Sequence, residues 1–428
     1  MGKKVQGIKG MEDLYRPELV KLWQWVEGRA RNVLEAAGFQ ELRTPVVEDA
    51  SLFERSVGEH TDIVEKEMYT LEDRNGKRLA LRPEGTASVV RAFVEHFTSH
   101  NIQEGRFYYL GPMYRYERPQ KGRYRQFYQI GTEIFGSDHP LVDAELISLG
   151  HKIFQELGLD DQVKLQLNSL GSHACRDKYR DALKDYLSKV EKNFSEEARE
   201  RLKRNPLRIL DSKEAAVQES LEQAPSILEF LSDEAKTHFE EVQWGLKELE
   251  IPFEVNPRIV RGLDYYEKTV FEWIAPGLGA QNAVAAGGRY NDLVKDLGGP
   301  ELPAVGFALG MERLVSLIPP ERLGRDPTPR VYLVPLDAEA NRELFFQLGE
   351  LRQAGALVML DLEGNSLKSK MRRAAKWNAD WAIILGPEER AKKVVVFRNM
   401  KESSQEEIPA DELLSRLLSK FPTKSFIL

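Results

Sequence analysis

Two β-type runs joined by a short polar loop constrain the fold of this chain more than any other feature. The runs cover residues 107–117 and 126–135, and the loop between them, residues 118–125, is rich in arginine and lysine. Runs of this kind separated by a polar loop predict a long β-hairpin. We therefore expect the hairpin to lie within an antiparallel sheet, with the basic loop at its tip.

Alternation along the hairpin strands predicts a polar face, with Arg115 and Glu117 pointing the same way on the first strand. Gln129, Gly131 and Glu133 share a face of the return strand, and Gly131 leaves a gap in which a ligand could lie against the sheet. Ionisable groups on a core face are costly unless they are paired, while a solvated face needs no gap. We therefore predict that this face of the hairpin binds a ligand. A polar sheet face that is simply exposed to solvent stays open as the alternative.

The rest of the chain predicts a sheet domain interrupted by helices. Residues 169–250 are charged and helix-forming, and we interpret them as an insertion into the sheet domain. A proline-rich linker at residues 319–329 precedes strand-like runs that alternate with helices, which is typical of a small α/β domain. The expected domains are residues 1–168 with 251–324, residues 169–250, and residues 325–428. The predicted elements are helices at residues 17–37, 177–192 and 232–249 and strands at residues 255–260, 269–274, 331–336, 357–362, 381–385 and 394–397.

Composition excludes several classes of protein. The single cysteine, Cys175, excludes a disulfide framework and a multi-cysteine zinc site. No apolar run reaches the ~20 residues of a membrane span. The first residues are basic, but the apolar stretch that follows such residues in a secretory signal is missing. We therefore expect a soluble cytoplasmic protein without membrane contact. The net charge of −7 argues against indiscriminate nucleic-acid binding but leaves local basic patches possible.

Familiar ATP-site and hydrolase motifs are missing from the sequence. There is no P-loop, no HExxH and no GxSxG. Gly277-Leu278-Gly279 begins like a dinucleotide fingerprint but lacks the third glycine, so we interpret it as a turn. His96 and His100 are spaced for one helix face, but without a third ligand nearby a solvated or packed pair is expected. We predict no dedicated metal site.

Several segments resemble motifs of class II aminoacyl-tRNA synthetases. Residues 114–117 (YRYE) with the basic loop resemble motif two, and residues 38–48 (GFQELRTPVVE) resemble motif one, a dimer-interface element. Residues 306–314 (GFALGMERL) resemble motif three. More specifically, RGLDYY at residues 261–266 and AGGRY at residues 286–290 are similar to the two signature segments of histidyl-tRNA synthetases. LRPEGT at residues 81–86 and RPQKGRYRQ at residues 118–126 agree with the same family.

The resemblance covers nearly the whole chain and has two small departures. Asn291 stands where the family usually has aspartate after the AGGRY segment, and Tyr114 replaces the common phenylalanine beside Arg115. Asparagine keeps the size but loses the charge, so a structural hydrogen bond could survive while a charge pair could not. Neither change touches a residue to which the resemblance assigns a part in the reaction.

The resemblance implies a class II α+β catalytic domain on an antiparallel sheet, with a helical insertion and a C-terminal α/β anticodon-binding domain. It implies ATP-dependent attachment of L-histidine to tRNA(His) through a histidyl-adenylate, with Mg²⁺ accompanying ATP and a homodimer as the working form. The attacking carboxylate is already anionic, so no general base is needed. Positioned arginines stabilise the phosphate charge, because guanidinium is always charged and binds phosphate through two hydrogen bonds.

The resemblance also assigns residues to each ligand. The catalytic arginines are Arg115 and Arg261. The implied histidine contacts are Glu84, Thr86, Arg115, Gln129, Glu133, Arg261, Tyr265 and Tyr266, with Glu84, Thr86 and Gln129 at the amino end and Glu133 with Tyr266 at the imidazole. The implied ATP contacts are Arg115, Glu117, Arg123 and Arg313.

Two basic clusters are implied to bind tRNA. Arg118 and Gln120 on the hairpin loop occupy the positions from which bacterial members of the family bind the acceptor end. Lys368, Arg372 and Lys376 are spaced four apart on a predicted helix and form one basic stripe in the implied anticodon domain. A solvated helix face stays open as the alternative for the stripe.

Two other functions keep the same fold. A synthetase-like regulatory paralogue, such as the regulatory subunit of ATP phosphoribosyltransferase, typically loses the arginine signature segments and the anticodon module. A tRNA-independent histidine ligase would not need the C-terminal domain. This sequence contains both signature segments, RGLDYY and AGGRY, and the implied C-terminal domain. We therefore predict an enzyme that attaches histidine to tRNA.

Overall fold

The computed structural model describes residues 5–58, 61, 63–120, 122–260, 263, 265–278, 282–323, 328–363 and 366–419. The chain forms two compact units, Met1–Arg322 and Leu323–Leu428. Among the described residues, no helix combines the length and the apolar character that a membrane span needs.

The first unit is built on two sheets. Its strands are β1 (Gln40–Glu41), β2 (Val47–Asp49), β3 (Thr70–Glu72), β4 (Arg78–Leu81), β5 (Gly105–Tyr114), β6 (Gln126–Phe135), β7 (Lys164–Ser169), β8 (Phe253–Val255), β9 (Glu267–Ile274), β10 (Ala283–Arg289) and β11 (Ala304–Gly310). The large sheet has the order β1-β5-β6-β11-β10-β9-β7-β8, and β2, β4 and β3 form a smaller one. Pairing is parallel only at the edges of the large sheet, between β1 and β5 and between β7 and β8. The predicted antiparallel sheet is thereby confirmed.

The helices of the first unit lie before, between and after these strands. They are α1 (Pro17–Ala36), α2 (Ala50–Val57), α3 (Thr86–His96), α4 (Pro140–Leu157), α5 (His173–Leu187), α6 (Glu196–Arg204), α7 (Ala215–Leu221), α8 (Asp233–Glu248), α9 (Leu293–Asp296) and α10 (Met311–Leu317). Short turns occur at Ile63–Glu67, Thr98–His100, Glu191–Asn193, Pro206–Asp211, Ile227–Phe230 and Pro320–Leu323.

The predicted hairpin is present, but its first strand is shorter than expected. The return strand β6 has the predicted bounds, whereas β5 ends at Tyr114 rather than at Glu117. The Arg115 N–H still donates across the hairpin to the Arg125 carbonyl at 2.9 Å. After Arg115 the backbone turns away from the return strand, because the Tyr116 N–H donates to the Glu67 carbonyl at 2.6 Å. The prediction that the strand continues through residues 115–117 is therefore wrong, although the Arg115 and Glu117 side chains line the same cavity.

Helical periodicity is confirmed where apolar spacing predicted it. α1 begins at Pro17, whose fixed φ suits a first helical turn, and buries Leu22, Val26 and Ala30. α8 begins directly after Ser232, whose hydroxyl caps it by accepting from the Ala235 N–H. The helix predicted at residues 177–192 begins earlier, at His173, and ends at Leu187.

One predicted strand of the first unit is wrong. Residues 255–260 were expected to be extended, but β8 ends at Val255. Asn256 and Ile259 then close a turn, with the Ile259 N–H donating to the Asn256 carbonyl at 3.2 Å. Pro257 lies inside this turn and has no N–H to offer a sheet ladder.

Apolar residues of α5, α6 and α7 join the same buried cluster as those of α3 and β5.

The second unit is a small α/β structure, as predicted. Its strands are β12 (Arg330–Pro335), β13 (Leu357–Leu360), β14 (Trp381–Leu385), β15 (Val394–Asn399) and β16 (Gln405–Pro409), and its helices are α11 (Ala338–Gln353), α12 (Leu367–Lys376), α13 (Pro387–Lys392) and α14 (Leu413–Leu418), with a short turn at Ala410–Glu412. The sheet order is β13-β12-β14-β15-β16, with β12 parallel to both neighbours and β15 and β16 antiparallel. β16 was not predicted, because its polar sequence QEEIP lacks an apolar alternation.

Candidate active site

A cavity of about 330 Å³ lies above the middle of the large sheet. The hairpin β5–β6, the strands β10 and β11, and the first turns of α3 and α10 form its walls. Nine residues that the resemblance assigned to histidine or ATP line it: Glu84, Thr86, Arg115, Glu117, Arg123, Gln129, Tyr265, Tyr266 and Arg313. Glu133 lies behind the wall, and Arg261 lies outside the described residues. The fold thus brings together residues that are far apart in the chain.

One end of the cavity is a buried carboxylate held at a helix start. Glu84 is 4% exposed and precedes α3. Its carboxylate accepts from the backbone N–H groups of Thr86 at 2.7 Å and Ala87 at 2.8 Å, two of the donors that a helix N-terminus leaves free. Burial nevertheless raises the pKa of Glu84, with these hydrogen bonds acting in the opposite direction. A cationic group entering the cavity would find a fixed carboxylate there.

A second carboxylate, Glu133, is fully buried on β6. The Thr86 hydroxyl donates to its Oε1 at 2.8 Å, and the Tyr290 hydroxyl donates to its Oε2. Burial raises the pKa of Glu133 to about 8, and the nearby Glu84 charge adds to the rise. Thr86, which lines the cavity, therefore links this buried carboxyl group to the cavity wall by a hydrogen bond.

The gap predicted above Gly131 is filled by an aromatic ring. Gly131 pairs across the hairpin with Tyr109, and a Cβ added at Gly131 would lie 2.0 Å from the Tyr109 Cζ. Gly85 approaches the same ring from the other side, where a Cβ would lie 2.2 Å from Cε2. The expectation that the ligand itself occupies this gap is wrong, because the two glycines make room for Tyr109, which in turn lines the cavity.

Apart from the Glu117 Oε2, which is in the ion pair with Arg123, three buried polar atoms of the wall have no hydrogen-bond partner among the described residues. They are the Tyr109 and Tyr265 hydroxyls and the Gln129 Oε1. Both tyrosine hydroxyls lie near the Thr86 oxygen, which donates to Glu133 and keeps lone pairs that can accept from them. Buried polar groups are normally satisfied, so the Gln129 Oε1 is the wall atom best placed to accept from a polar ligand.

The other end of the cavity is cationic. Arg115 donates from Nε to the Pro83 carbonyl at 2.9 Å, with its guanidinium 5.2 Å from the centre of the Phe127 ring. Arg313 donates to the carbonyls of Ala283 at 2.6 Å and Gly122 at 3.1 Å. These backbone contacts hold two guanidinium groups at the wall of the cavity in fixed orientations.

Neighbouring charges show what this end can bind. Burial lowers the pKa of Arg313, and the charges of Arg123 and Arg115 lower it further. Arg123 forms an ion pair with Glu117, which offsets part of the positive charge. A polyanion would stabilise these guanidinium groups, which repel one another, and a phosphate group can accept two hydrogen bonds from one guanidinium. This end of the cavity is therefore suited to a polyphosphate.

Glu312 is a wall residue to which the sequence assigned no role. Its carboxylate accepts from the Tyr128 N–H at 2.9 and 3.2 Å, and burial raises its pKa to about 7. Glu312 directly precedes Arg313 at the start of α10. Its position in the GMERL segment, beside an arginine already assigned to ATP, could have predicted that it lines the cavity. Tyr290, in the AGGRY segment, and Tyr109 were also unassigned.

The comparisons with known proteins agree with this geometry. Residues 10–314 match the family model described as histidyl-tRNA synthetase. The chain belongs to the histidyl-tRNA synthetase family. Residues 330–420 match the model of an anticodon binding domain, so both parts of the resemblance are confirmed at family level.

Full-length relatives support the same family. A histidine–tRNA ligase of Syntrophotalea carbinolica is 47% identical over 416 residues, which cover 97% of this chain and 99% of the relative. A histidine–tRNA ligase of Thermodesulfovibrio yellowstonii is 46% identical over 417 residues, with the same coverage. The crystal structure of apo S. aureus histidyl-tRNA synthetase superposes with a TM-score of 0.78 at 33% identity, covering 97% of this chain and 100% of that one. The predicted class II fold is thereby confirmed.

The departure from the histidyl-tRNA synthetase pattern at Asn291 is accommodated by hydrogen bonds. The Asn291 Nδ2 donates to Asp138 at 3.3 Å, and its Oδ1 accepts from the Ala304 N–H at 3.3 Å. Arg289, fully buried, forms an ion pair with the equally buried Asp143. Asparagine therefore links β10 to neighbouring segments without adding a further negative charge beside Asp138 and Asp143.

The residues of this synthetase chain expected to contact tRNA are solvent-exposed. Arg118 and Gln120 lie exposed on the hairpin loop, while the nearby Lys121 is outside the described residues. In the second unit, Lys368, Arg372 and Lys376 are exposed on α12.

Two further cations of α12 face the other way. Lys370 donates to the Asp361 carbonyl at 2.7 Å, and Arg373 pairs with the Asp361 carboxylate at 2.8 Å. These two cations bind within the second unit, so the stripe that faces solvent consists of Lys368, Arg372 and Lys376.

A histidine and two carboxylates lie close together at another place in the synthetase unit. Ligand atoms of His173, Glu267 and Asp292 lie within 4.8 Å of one another. Arg176 lies 2.6 Å from the His173 Nδ1, and because arginine can only donate, Nδ1 is the acceptor. The His173 Nε2 then carries the proton towards Asp292 at 2.8 Å. This arrangement is a hydrogen-bonded network in which Nε2 has no lone pair for a metal ion.

Proposed function

We propose that this chain attaches L-histidine to tRNA(His) with ATP, through a histidyl-adenylate. The observation that carries the proposal is the polarity of the cavity, with a buried carboxylate, Glu84, at one end and the arginines Arg115 and Arg313 at the other. An amino acid with a cationic amino group and a polyanionic nucleotide are complementary to these two ends. The Gln129 Oε1, which has no hydrogen-bond partner among the described residues, supplies a further contact for the amino acid.

The first step of the proposed reaction requires charge stabilisation rather than proton transfer. The histidine carboxylate attacks the α-phosphorus, a carboxyl–phosphate bond forms, and the bond to the departing pyrophosphate breaks. Arg115 is placed to bind the α-phosphate, with its orientation set by the Pro83 carbonyl. Such preorganised donors act on the charge that develops in the transition state. We assign Arg261 the complementary position and Arg123 and Arg313 the outer phosphates and adenine region.

Amino-acid selection is assigned to the carboxylate end. Glu84, Thr86 and Gln129 would bind the amino group, supported by the fixed Glu84 carboxylate and the unpaired Gln129 Oε1. Glu133 and Tyr266 would bind the imidazole, with Tyr265 beside them. A site that leaves a buried polar group unpaired when the wrong amino acid binds can reject it by ~10⁴-fold.

We include Mg²⁺ as the ion that accompanies ATP. The wall offers the carboxylates Glu117 and Glu312 near the arginine end, and carboxylate oxygens are ligands that Mg²⁺ prefers. These two residues would hold the ion together with phosphate oxygens. When bound, it would neutralise phosphate charge.

The domain roles follow the predicted boundaries. We assign catalysis to residues 1–168 and 251–324, a helical insertion to residues 169–250, and anticodon binding to residues 325–428. We place the reaction in the cytoplasm, where its tRNA substrate is used. The match of residues 330–420 to an anticodon binding domain supports the C-terminal assignment. The regulatory paralogue is not favoured, because the full-length relatives are histidine–tRNA ligases.

We also propose a homodimer that uses the motif-one region. The outer face of the small sheet is apolar except at its Asp49 end, because Leu79 and Leu81 on β4 alternate with the fully buried Ala80. Val47 on β2 and Leu71 on β3 share that face and are 41% and 42% exposed. A contiguous exposed apolar face of this kind favours burial against a second copy.

The proposed activity is tested by histidine-dependent exchange of labelled pyrophosphate into ATP. We expect exchange with histidine and none above background with the other standard amino acids. Exchange that does not depend on histidine, or no exchange by protein that binds ATP, would contradict the proposed function.

The basic stripe of α12 gives a separate prediction. Replacing Lys368 and Arg372 with glutamate should raise the KM for tRNA and flatten the salt dependence of tRNA binding by a slope of about two, because two phosphate contacts are lost. Pyrophosphate exchange should remain near wild type, since it needs no tRNA. The measurements are aminoacylation kinetics and binding at several salt concentrations.

A matched control makes the same change of net charge elsewhere in the second unit. Arg342→Glu with Lys392→Glu alters two exposed cations on α11 and α13. Subunit mass is measured on every preparation, because dissociation of the dimer could imitate the result. If the stripe variant charges tRNA as well as the control does, the stripe is a solvated helix face.

A further inference from the structure

The N-terminal segment, residues 5–16, contacts the hairpin loop at one buried point. The Met11 N–H donates to the Ile8 carbonyl at 3.0 Å, which closes a β-turn over residues 8–11. Gly10 is the third residue of this turn and has a φ of +86°, the conformation that a type II turn requires there. It is buried, whereas residues 5–9 and 12–16 are exposed. The segment is thus anchored through Gly10.

Gly10 touches both ends of the loop. Its carbonyl accepts from two successive backbone N–H groups, those of Arg125 at 2.7 Å and Gln126 at 3.1 Å, where β6 begins. At the other end, a Cβ at Gly10 would lie only 2.7 Å from the Pro119 Cγ, and it would also lie 3.1 Å from the Arg125 Cγ. A side chain of any size at this position would push the loop away.

The opposite side of the same loop faces the cavity. Gly122, Arg123 and Tyr124 line the cavity wall, and the Gly122 carbonyl accepts from the Arg313 Nε at 3.1 Å. Backbone hydrogen bonds between Gln120 and Arg123, at 2.8 and 3.0 Å, keep the loop tip closed. The loop is therefore held between Arg313 on its inner side and Gly10 on its outer side.

We propose that the turn at residues 8–11 sets the position of the hairpin loop for ATP, with Gly10 as the positioning residue. This inference rests on the proposed function, because it concerns the nucleotide end of the same cavity. Gly10 does not touch the cavity and acts through Pro119 and Arg125. Histidine binds at the Glu84 end, where the loop has no wall residue, so it should not depend on the turn.

The test is Gly10→Ala, compared with two other glycine-to-alanine variants. A Cβ at Gly7 would meet nothing within 4 Å, so Gly7→Ala controls for the substitution itself. Gly76 has a φ of +79° and equally open surroundings, so Gly76→Ala controls for backbone strain in a remote turn. ATP and histidine binding are measured by calorimetry, KM values by pyrophosphate exchange, and stability by thermal unfolding.

We expect Gly10→Ala to raise the KM and Kd for ATP by about tenfold or more, since misplacing a positioning element by about 1 Å can cost on the order of 100-fold. Histidine affinity should stay within about twofold, and the unfolding temperature should fall no further than in Gly76→Ala. Adding Pro119→Ala removes the ring atom nearest to the new methyl group and should restore part of the ATP affinity. Strain in the turn alone would give no such rescue.

Three outcomes would overturn the proposal. They are an ATP affinity of Gly10→Ala equal to that of Gly7→Ala, an equal loss of ATP and histidine affinity, and a loss that Pro119→Ala leaves unchanged. Because ATP binding is measured directly, the positioning role is decided even if the wild-type protein does not exchange pyrophosphate with histidine. Failure of the proposed function would appear as absent exchange by the wild type, which is a separate result.

Discussion

Replacing Arg115 with lysine is expected to lower the kcat for adenylate formation by about 100- to 1000-fold, the effect of removing one preorganised donor from a developing phosphate charge. Lysine keeps the charge but loses the planar fork that binds two oxygens at once. It also loses the Nε–H that donates to the Pro83 carbonyl at 2.9 Å and orients the guanidinium. Single-turnover formation of adenylate with saturating ATP and histidine measures this effect.

A control at the start of β5, the strand that precedes Arg115, separates charge geometry from stability. Arg106 on β5 pairs with Glu145 at 2.5 and 2.9 Å, and it is not among the residues of the cavity wall. Arg106→Lys should therefore keep near wild-type rates. A higher KM for ATP with an unchanged kcat in Arg115→Lys would show that Arg115 binds ground state and transition state equally, and the assigned role in the transition state would be wrong.

Replacing Glu133 with alanine is expected to reduce kcat/KM for histidine by roughly 100-fold or more. Thr86 and Tyr290 both donate to this carboxyl group, and a buried donor left without its acceptor costs about 1–3 kcal/mol. Losing the acceptor frees both hydroxyls from their present orientations beside the amino-acid end of the cavity. Pyrophosphate exchange at varied histidine concentration measures the loss, with circular dichroism to verify the fold.

Glu133→Gln keeps the volume and one acceptor oxygen but cannot ionise. We expect it to lose less histidine affinity than Glu133→Ala. If Glu133→Ala exchanges near the wild-type rate, Glu133 holds the imidazole neither directly nor through Thr86 and Tyr290.

Comparing the stability of wild type with that of Glu133→Gln at different pH values reports the pKa of the Glu133 carboxyl group. Because the folded-state pKa of Glu133, about 8, lies above that of an unfolded carboxyl group, its contribution to stability is present at low pH and is lost as the pH rises through about 8. The unfolding free energy of ligand-free wild type should therefore fall relative to that of Glu133→Gln as the pH rises from about 4.5 to about 8.

The motif residues could be predicted from the sequence because their chemistry is local. Short segments such as YRYE and GMERL carry the arginines and carboxylates themselves, and the structure places Arg115, Glu117 and Arg313 on one cavity wall. The return strand of the hairpin and the helix α1 were predicted for a related reason, since periods of two and about 3.6 residues are properties of consecutive residues.

Strand ends were harder to predict because distant partners decide them. Residues 115–117 continue an alternating pattern, yet β5 ends at Tyr114, where Tyr116 takes the Glu67 carbonyl as its partner. No pattern within residues 107–117 contains Glu67. A β-type run shows where a strand is possible, and the competing hydrogen bond shows where it stops.

By itself, the sequence determined the α+β first part and the α/β second part, the antiparallel hairpin, the family and nine charged or polar residues of the cavity wall. Only the tertiary structure decided that Tyr109 fills the space above Gly131, that Thr86 and Tyr290 bind Glu133, and that Gly10 supports the hairpin loop. The physical reason is that each of these contacts joins side chains or backbone groups far apart in the chain. Their distances depend on strand register and packing, whereas periodicity and motif spacing describe neighbours.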